Sequence, residues 1–135
     1  MPKAINTKNA PAAIGPYDQA NVVNSLVFTS GQLPIDPATG EFVAGGIVQQ
    51  TERVLDNIMA IVEASGASME DVVKTTVYVT DLENYAKVNG VYDQYFRGDS
   101  LPSRTFVEVS ALPKGAQIEI DAVAYLSGHS VVNYY

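Results

Sequence analysis

Two oppositely charged residues lie inside otherwise apolar, strand-like segments near the end of the chain. Arg104 begins the segment RTFVEVS and Glu119 lies within QIEIDAVAY, with a Pro-Lys-Gly turn between the two segments. An arginine guanidinium can hold a carboxylate through two parallel hydrogen bonds, and a glutamate can accept a proton or orient a water molecule. The pair therefore predicts a site for a small carboxylate-bearing molecule that undergoes acid–base chemistry.

The spacing of these two residues allows a second interpretation. If their segments pair as a hairpin through the ALPKGA turn, Arg104 and Glu119 lie on one sheet face, with Glu119 opposite Glu108. Arg104 is then roughly 13 Å away along the ladder, which suits a small ligand held between the two side chains but not a direct ion pair. Alternatively, Arg104 forms an ordinary interfacial salt bridge and Glu119 is a solvated strand carboxylate. Spacing alone favours this structural interpretation, since lone charged pairs are common.

Length and composition exclude several classes of protein. A chain of 135 residues that is 47% hydrophobic predicts one globular domain over residues 1–135. A net charge of −7 disfavours a nucleic-acid partner, because phosphate binding needs clustered Lys and Arg. The absence of cysteine excludes disulfides, a thiolate nucleophile and Cys-based metal sites. With no apolar run near the ~20 residues of a membrane span and no signal-like segment, we expect no membrane partner and a cytoplasmic location.

The segments that must position Arg104 and Glu119 show two kinds of apolar pattern, one typical of strands and one typical of helices. Short runs of alternating, often β-branched apolar residues predict strands. Apolar residues at intervals of three and four predict a helix that stops at Gly66. A second helix is predicted to start at Thr80, as N-cap of a capping box with Glu83. The predicted strands are 19–23, 26–30, 73–80, 104–110 and 117–125, and the first helix is 47–65. Their order, ββαβαββ, predicts an α+β fold in which a single mixed β-sheet has two helices packed on one face.

The sequence also predicts which residues lie on the buried face of the second helix and on each face of the last strand. The second helix is expected to bury one face; its residues are Leu82, Tyr85, Val88, Tyr92 and Phe96. In the last strand Ile118 and Ile120 point towards the helices, whereas Glu119 and Asp121 point the other way. A mixed sheet face without helical cover predicts a subunit interface, so we expect an oligomer.

Several segments resemble one known family, in order along nearly the whole chain up to about Tyr125. The segments are AIGPY (13–17), FTSGQLP (28–34), VLDNIMAIVEASG (54–66), VVKTTVYVTDLENYAKVN (72–89) and LPSRTFVEVSALPKGAQIEIDAVA (101–124). They resemble the reactive intermediate deaminase family, the RidA/YjgF-like proteins, and the Pro-x-Arg element followed by Ile-Glu-Ile is the most specific part. The resemblance implies a chorismate-mutase-like fold and a homotrimer with small clefts between adjacent subunits. The tail, residues 126–135, lies beyond the resemblance.

The resemblance also implies a reaction and a set of site residues. The implied reaction is hydrolysis of enamines and imines, such as 2-aminoacrylate and 2-iminopropionate, to 2-keto acids and ammonia, with no metal and no cofactor. Arg104 matches the residue that holds the substrate carboxylate, Glu119 the residue that orients water, and Tyr17 a pocket tyrosine. Other matched ligand contacts are Ser30, Gly31 and Asn89, together with Phe106, which stands where many bacterial members have cysteine.

Each of these residues also has a purely structural interpretation. Tyr17 could pack after Pro16, Ser30 and Gly31 could form a strand-ending turn, and Asn89 could be a helix-surface residue. The lone histidine, His129, is interpreted as a surface residue of the tail. Two other classes of function are a keto-acid-binding regulatory trimer without turnover, and a ribonuclease or translation inhibitor, which the negative charge disfavours.

Overall fold

The computed structural model describes residues 2–126. These residues form one six-stranded sheet in the order β1-β2-β3-β6-β4-β5, with two α-helices. The strands are β1 (Lys3–Ile5), β2 (Ala20–Val23), β3 (Leu26–Thr29), β4 (Val72–Val79), β5 (Ser103–Glu108) and β6 (Ile118–Tyr125), and the helices are α1 (Ile47–Ala64) and α2 (Tyr85–Tyr95). The predicted α+β fold, a single mixed sheet with two helices on one face, is confirmed. The short edge strand β1 was not predicted.

Helix α1 closely matches the sequence-based expectation. Its predicted apolar positions Leu55, Ile58 and Val62 are fully buried against the sheet, and burying each such side chain stabilises the fold by about 1.5–3 kcal/mol. The Gln49 side chain accepts a hydrogen bond from the Gly46 amide, 3.0 Å away, at the N-terminus of the helix. At the other end the chain leaves the helix through Gly66, whose φ of +100° favours glycine. Local periodicity was therefore sufficient to locate this helix.

The start of α2 differs from the prediction. Thr80 does not cap the helix. Instead, the Asp81 carboxylate accepts a hydrogen bond from the Glu83 amide at 2.9 Å, and this contact caps a 3₁₀ turn over Leu82–Asn84. The α-helix then begins at Tyr85. Asp81, one residue after Thr80, is also a preferred N-cap residue type. Asp81 takes the N-cap position because its side-chain oxygen reaches a free amide of the turn.

The 3₁₀ turn also changes which residues α2 buries. Leu82 is 49% exposed and Tyr85 is 45% exposed, so the prediction that both lie on the buried face was wrong. The buried positions are Val88 and Val91, followed by Phe96 just after the helix. A 3₁₀ turn has about three residues per turn rather than 3.6, so it rotates the residues at the start of the segment away from the face that the later residues share.

The predicted hairpin between β5 and β6 does not form. Strand β5 pairs in parallel with β4, with Thr75 beside Arg104, and β4 pairs antiparallel with β6, with Tyr78 beside Glu119. Strand β4 therefore separates the two charged strands. The crossover through α2 returns β5 parallel to β4 on one side. Strand β6 then occupies the other side of β4, where it also pairs with β3.

The two faces of the sheet differ in cover. Ile118 and Ile120 of β6 are buried beneath the helices, as predicted, and Glu119 and Asp121 point to the opposite, open face. The open face also carries large apolar side chains that remain more than a third exposed: Phe28 (38%), Val107 (37%) and Tyr125 (37%). The open face has the mixed composition that the sequence indicated, and its role as a subunit interface stays a prediction.

Two further predictions concern membrane-spanning helices and the C-terminal tail. Within residues 2–126 no helix is both long enough and apolar enough to cross a membrane. The predicted tail, including His129, lies outside the described residues except for Leu126, which packs into the core.

Candidate functional site

Arg104 lies on the helix-covered side of the sheet, where β5 meets α2. Its Nη1 donates a hydrogen bond to Asn89 Oδ1 at 2.7 Å, and its Nη2 donates to Tyr85 Oη at 3.1 Å. Aromatic rings surround the guanidinium carbon, with centroids at 4.8 Å for Tyr92, 5.2 Å for Phe106 and 5.6 Å for Tyr85. No acidic residue in the described part of the chain forms an ion pair with Arg104. We call these five residues the arginine half-site.

The arginine half-site is assembled by the period of α2. Tyr85, Asn89 and Tyr92 are spaced by four and three residues, so they lie along one side of the helix and all reach the same guanidinium. The Tyr92 hydroxyl is 2.8 Å from Thr75 Oγ1, which ties this side of the helix to β4. Burial raises the pKa of the Tyr92 hydroxyl above its ordinary value, so this group is uncharged near neutral pH. The result is a fixed cation among neutral partners, which can bind an anion.

A surface depression adjoins this half-site. It has a volume of about 570 Å³ and is lined by Asn89, Gly90, Tyr92, Asp93, Phe96, Leu101, Pro102 and Arg104. The segment before β5 supplies Leu101 and Pro102, so the depression is mostly apolar and aromatic around the single guanidinium. Asp93 also lines the depression, but within residues 2–126 it forms no ion pair with Arg104. A concave, largely apolar surface around an unpaired guanidinium fits a small organic anion.

Glu119 lies in a second depression, which opens on the other side of the sheet. Its volume is about 370 Å³, and its lining residues are Ile14, Tyr17, Ser30, Gly31, Leu33, Pro113 and Glu119. We call these seven residues the glutamate half-site. Four of them were predicted as site residues from the sequence: Tyr17, Ser30, Gly31 and Glu119. The structure brings these four together around one cavity.

Gly31 allows the Glu119 carboxylate to approach its backbone closely. A Cβ placed on Gly31 would lie 2.9 Å from the carboxyl carbon of Glu119 and 3.2 Å from its Cγ. Any side chain here would displace the carboxylate, so the need for glycine comes from close contact and not from backbone angles. In the described part of the chain the Gly31 amide donates no hydrogen bond. The Gly31 amide, in the lining of the cavity, is therefore not engaged by another residue of the described chain.

The environment of Glu119 favours its protonated form. Burial raises its pKa above the ordinary 4.5, and the negative charge of Asp121 raises it further. Among residues 2–126 the carboxylate has no hydrogen-bond donor as a partner. Asp121 itself accepts a hydrogen bond from Tyr78 Oη at 3.2 Å. Glu119 thus binds a proton more tightly than an exposed glutamate does, which is what a general base near neutral pH needs.

The loops of the glutamate half-site are held by short-range contacts. Tyr17 is 46% exposed, and its hydroxyl accepts a hydrogen bond from the Ile14 amide at 3.3 Å. The Ser30 hydroxyl donates to the Asp18 carbonyl at 2.6 Å. Ser30 therefore uses its proton within the protein, and its oxygen can only accept from a ligand.

Buried amide side chains, which we did not predict as site residues, support these loops from behind. Gln19 Nε2 donates to the carbonyls of Thr7, Ala10 and Pro11, and so holds the segment that leads to Tyr17. Asn57 Nδ2 donates to the carbonyls of Leu33 and Ile35, at 3.1 and 3.0 Å. The Gln50 side chain accepts from the Gln117 amide at 2.9 Å, just before β6. The only sequence signal for Gln50 and Asn57 is that polar residues occupy positions of the apolar face of α1.

The structure separates the two predicted catalytic residues. Asn89 and Phe106 lie with Arg104, as the sequence indicated, but Glu119 does not. Arg104 and Glu119 point to opposite faces of the sheet with β4 between their strands, so the prediction that they share a face was wrong. It failed because it assumed the β5–β6 hairpin. One copy of the chain cannot hold a small ligand between these two side chains.

No set of three His, Asp or Glu side chains in residues 2–126 is grouped closely enough to hold a metal ion. The two half-sites provide a cation that can hold a carboxylate, a carboxylate with a raised pKa, and a backbone amide donor. These groups can bind a small anionic molecule and move a proton to or from it.

Comparison with known proteins places the chain in a family. The family model described as endoribonuclease L-PSP matches residues 7–126. A RutC family protein of Pyrococcus abyssi is 55% identical over 123 residues, which covers 91% of this chain and 96% of that protein. The 2-iminobutanoate/2-iminopropanoate deaminase of Escherichia coli K12 is 48% identical over 126 residues, covering 92% and 98% of the two chains.

Solved structures agree with the sequence matches. E. coli TdcF with bound serine superposes with a TM-score of 0.87 at 46% identity, covering 91% of this chain and 98% of TdcF. RidA from an Antarctic Psychrobacter has a TM-score of 0.87 at 45% identity, with the same coverage. The family model spans most of the chain, and these relatives match nearly end to end. This chain therefore belongs to the YjgF/RidA family, whose model carries the description endoribonuclease L-PSP.

Proposed function

We propose that this protein is a hydrolytic deaminase that converts enamine and imine forms of small 2-imino acids, such as 2-aminoacrylate and 2-iminopropanoate, to 2-keto acids and ammonia. The observation that carries the proposal is the chemistry of the two half-sites. One offers a guanidinium without an acidic partner, and the other offers a carboxylate whose pKa is raised by burial. Relatives near 50% identity that bear the deaminase name support the same reaction.

We infer that the complete site forms between two copies of the chain. The arginine half-site of one subunit would face the glutamate half-site of the next, with the open sheet face buried between them. Two different patches can meet reciprocally in a twofold dimer or head-to-tail in a closed ring, and the trimer that the family resemblance implies is the smallest head-to-tail ring. The exposed apolar residues of the open face, Phe28, Val107 and Tyr125, support burial of that face. We therefore propose a homotrimer with three equivalent clefts.

The proposed mechanism assigns one task to each group. Arg104 binds the substrate carboxylate through two parallel hydrogen bonds. Glu119 takes a proton from water as the water oxygen bonds to C2 of the imine, while the C=N electron pair moves to nitrogen, which takes a proton from solvent. Glu119 then gives its proton to the amino nitrogen of the carbinolamine, the hydroxyl proton passes to solvent, and the C=O bond forms as the C–N bond breaks and ammonia leaves. A keto acid and ammonia are released, and Glu119 is ready for the next cycle.

The direct test is a coupled assay. A pyridoxal-phosphate lyase acting on serine would generate 2-aminoacrylate, and the rate of keto-acid appearance would be followed with and without this protein. We expect the protein to raise that rate above spontaneous hydrolysis in proportion to its concentration. A rate that does not change with added protein would exclude deamination of this substrate.

Intersubunit complementation is the sharpest test of the composite cleft. We expect Arg104→Ala and Glu119→Gln each to be nearly inactive alone, and to regain activity when the two variants are unfolded together and refolded in equal amounts. With random mixing, about a quarter of the clefts in a ring would contain an intact arginine and an intact glutamate. Light scattering should show a trimer for each variant and for the mixture. A trimeric mixture with no regained activity would contradict a site shared between subunits.

The pH dependence of the reaction should report the ionisation of Glu119. Because the reaction needs the charged carboxylate and its pKa lies above 4.5, we expect kcat/KM to fall on acidification at a higher pH than an ordinary glutamate would cause. Asp121→Asn removes the nearby negative charge, so the pKa of Glu119 drops and the acidic limb should move to lower pH. An acidic limb that stays in place in this variant, measured with the same substrate, would count against Glu119 as the base.

A second candidate is a trimer that binds keto acids or amino acids without turnover. It is favoured by the solved TdcF structure, which contains bound serine. This candidate and the deaminase make different forecasts for the coupled assay, because a binder would take up the keto acid without accelerating its formation from the imine. The ribonuclease function named in the family model description is disfavoured by the net charge of −7, since RNA binding needs a clustered basic surface.

A further inference from the structure

Tyr85 contacts Arg104 and Phe106, although its place in the sequence indicated only a core residue of α2. It is the first residue of the helix and remains 45% exposed. Its hydroxyl accepts a hydrogen bond from Arg104 Nη2 at 3.1 Å. Its ring meets the Phe106 ring edge-on, at a centroid distance of 4.8 Å and an interplanar angle of 74°. Tyr85 therefore touches both the cation and the wall beside it.

Counting the donors of Arg104 shows what these contacts leave for a ligand. A guanidinium has five N–H groups, two of them on each terminal nitrogen. Asn89 takes one hydrogen of Nη1 and Tyr85 takes one of Nη2. Each terminal nitrogen keeps one hydrogen, and one hydrogen from each can form the two parallel bonds of a bidentate contact with a carboxylate. Three aromatic ring centroids lie 4.8 to 5.6 Å from the guanidinium carbon, and within residues 2–126 no other residue is hydrogen-bonded to these hydrogens.

We propose that Tyr85 is a positioning residue for the carboxylate anchor, an inference that rests on the proposed function of Arg104. With Asn89 alone, only one terminal nitrogen of the guanidinium would be held by a hydrogen bond. The Tyr85 hydroxyl holds the second nitrogen and so sets the plane in which the substrate carboxylate is received. An arginine held in this way before the ligand arrives loses less side-chain freedom on binding. Tyr85 acts through Arg104 and does not touch the reacting atoms.

The test removes the hydroxyl alone. Tyr85→Phe keeps the ring against Phe106 but leaves Nη2 without its partner. We expect the dissociation constant for 2-ketobutyrate, measured by calorimetry, to rise roughly three- to tenfold, as expected for one lost hydrogen bond. The KM for the imine should rise by the same factor while kcat stays close to wild type, because the anchor holds substrate and transition state alike. The midpoint of thermal unfolding should not change.

A matched control is available on the same helix. The Tyr95 hydroxyl donates to Asp56 Oδ1 at 2.8 Å and is not a neighbour of Arg104. Tyr95→Phe therefore removes an equivalent group from the helix, and we expect its dissociation constant for 2-ketobutyrate to remain that of wild type. Equal weakening of binding in the two variants would show a general effect of the helix and would overturn the positioning role.

The remaining outcomes separate this inference from the proposed function. If wild-type protein binds 2-ketobutyrate and Tyr85→Phe binds it equally well, the positioning role is wrong and the anchor role of Arg104 stands. If wild-type protein does not bind 2-ketobutyrate at all, both fail together. A loss in kcat with KM unchanged would place Tyr85 in the chemical step instead, which would also contradict the inference.

Discussion

Replacing Arg104 with lysine is expected to lower kcat/KM more than tenfold while the protein stays folded and assembled. Lysine keeps the positive charge but loses the planar pair of donors that matches a carboxylate. It also has a single nitrogen, which cannot contact Asn89 and Tyr85 and still present two hydrogens to the substrate. Loss of one bidentate charged contact should cost at least about 2 kcal/mol of transition-state stabilisation. Steady-state kinetics in the coupled assay measures the effect directly.

The arginine prediction has a control and a clear contradiction. Arg97 is an exposed arginine just beyond α2, and Arg97→Lys should leave kcat/KM at the wild-type value. The dissociation constant of 2-ketobutyrate should rise in Arg104→Lys and not in Arg97→Lys. Wild-type kinetics from a folded, assembled Arg104→Lys protein would rule out the anchor role.

Replacing Glu119 with glutamine should have the opposite signature. The amide has the same shape but cannot accept the proton of the attacking water, so we expect kcat to fall by roughly 10²- to 10⁴-fold. Binding of 2-ketobutyrate should stay within about twofold, because Arg104 still holds the carboxylate. Comparing kcat with the calorimetric dissociation constant for the same preparation separates the chemical step from binding.

Stability provides a second readout for Glu119→Gln. The folded-state pKa of Glu119 is raised by burial, so above that pKa the ionised carboxylate destabilises the folded state relative to the unfolded chain. A neutral glutamine removes this penalty at neutral pH. We therefore expect the midpoint of thermal unfolding to be unchanged or higher, as for a group retained for function rather than stability. The exposed Glu41→Gln serves as the control.

The structural interpretation of Glu119 predicts a different pattern. If the residue only holds subunits together, the glutamine variant should dissociate, and ligand binding and kcat should fall in parallel. Light scattering at the concentration used for calorimetry distinguishes the two patterns. Equal losses that follow dissociation would remove the catalytic assignment.

Much of this fold could be predicted from local sequence because its elements have strong periodicity. Helix α1 follows from apolar residues at intervals of three and four, and the alternation in β6 places Ile118 in the core and Glu119 on the open face. Side chains on a strand alternate whatever the strand pairs with, so these assignments did not depend on topology. The association of Tyr17, Ser30 and Gly31 with Glu119 followed from family resemblance, and the structure places all four around one cavity.

The start of α2 and the roles of the buried amides were not accessible to local patterns. Thr80 and Asp81 are both good caps, and the choice depends on which oxygen reaches a free amide in the folded turn. Gln50 and Asn57 look like interruptions of an apolar helix face until the carbonyls and amides that they contact are known. The contacts that give them a role are with residues distant in the chain, since Asn57 Nδ2 donates to the Leu33 carbonyl and the Gln50 side chain accepts from the Gln117 amide.

By itself the sequence determined the identity of the two helices and of every strand except β1, the alternating faces of β6 and the chemical character of Arg104 and Glu119. Only the tertiary structure decided where these two side chains lie relative to one another. Adjacent strands in a chain need not be adjacent in a sheet, and here the crossover through α2 places β4 between β5 and β6. Strand pairing is set by the packing of the whole sheet and its helices, which no local period encodes. For that reason the two charges lie on opposite faces of one copy.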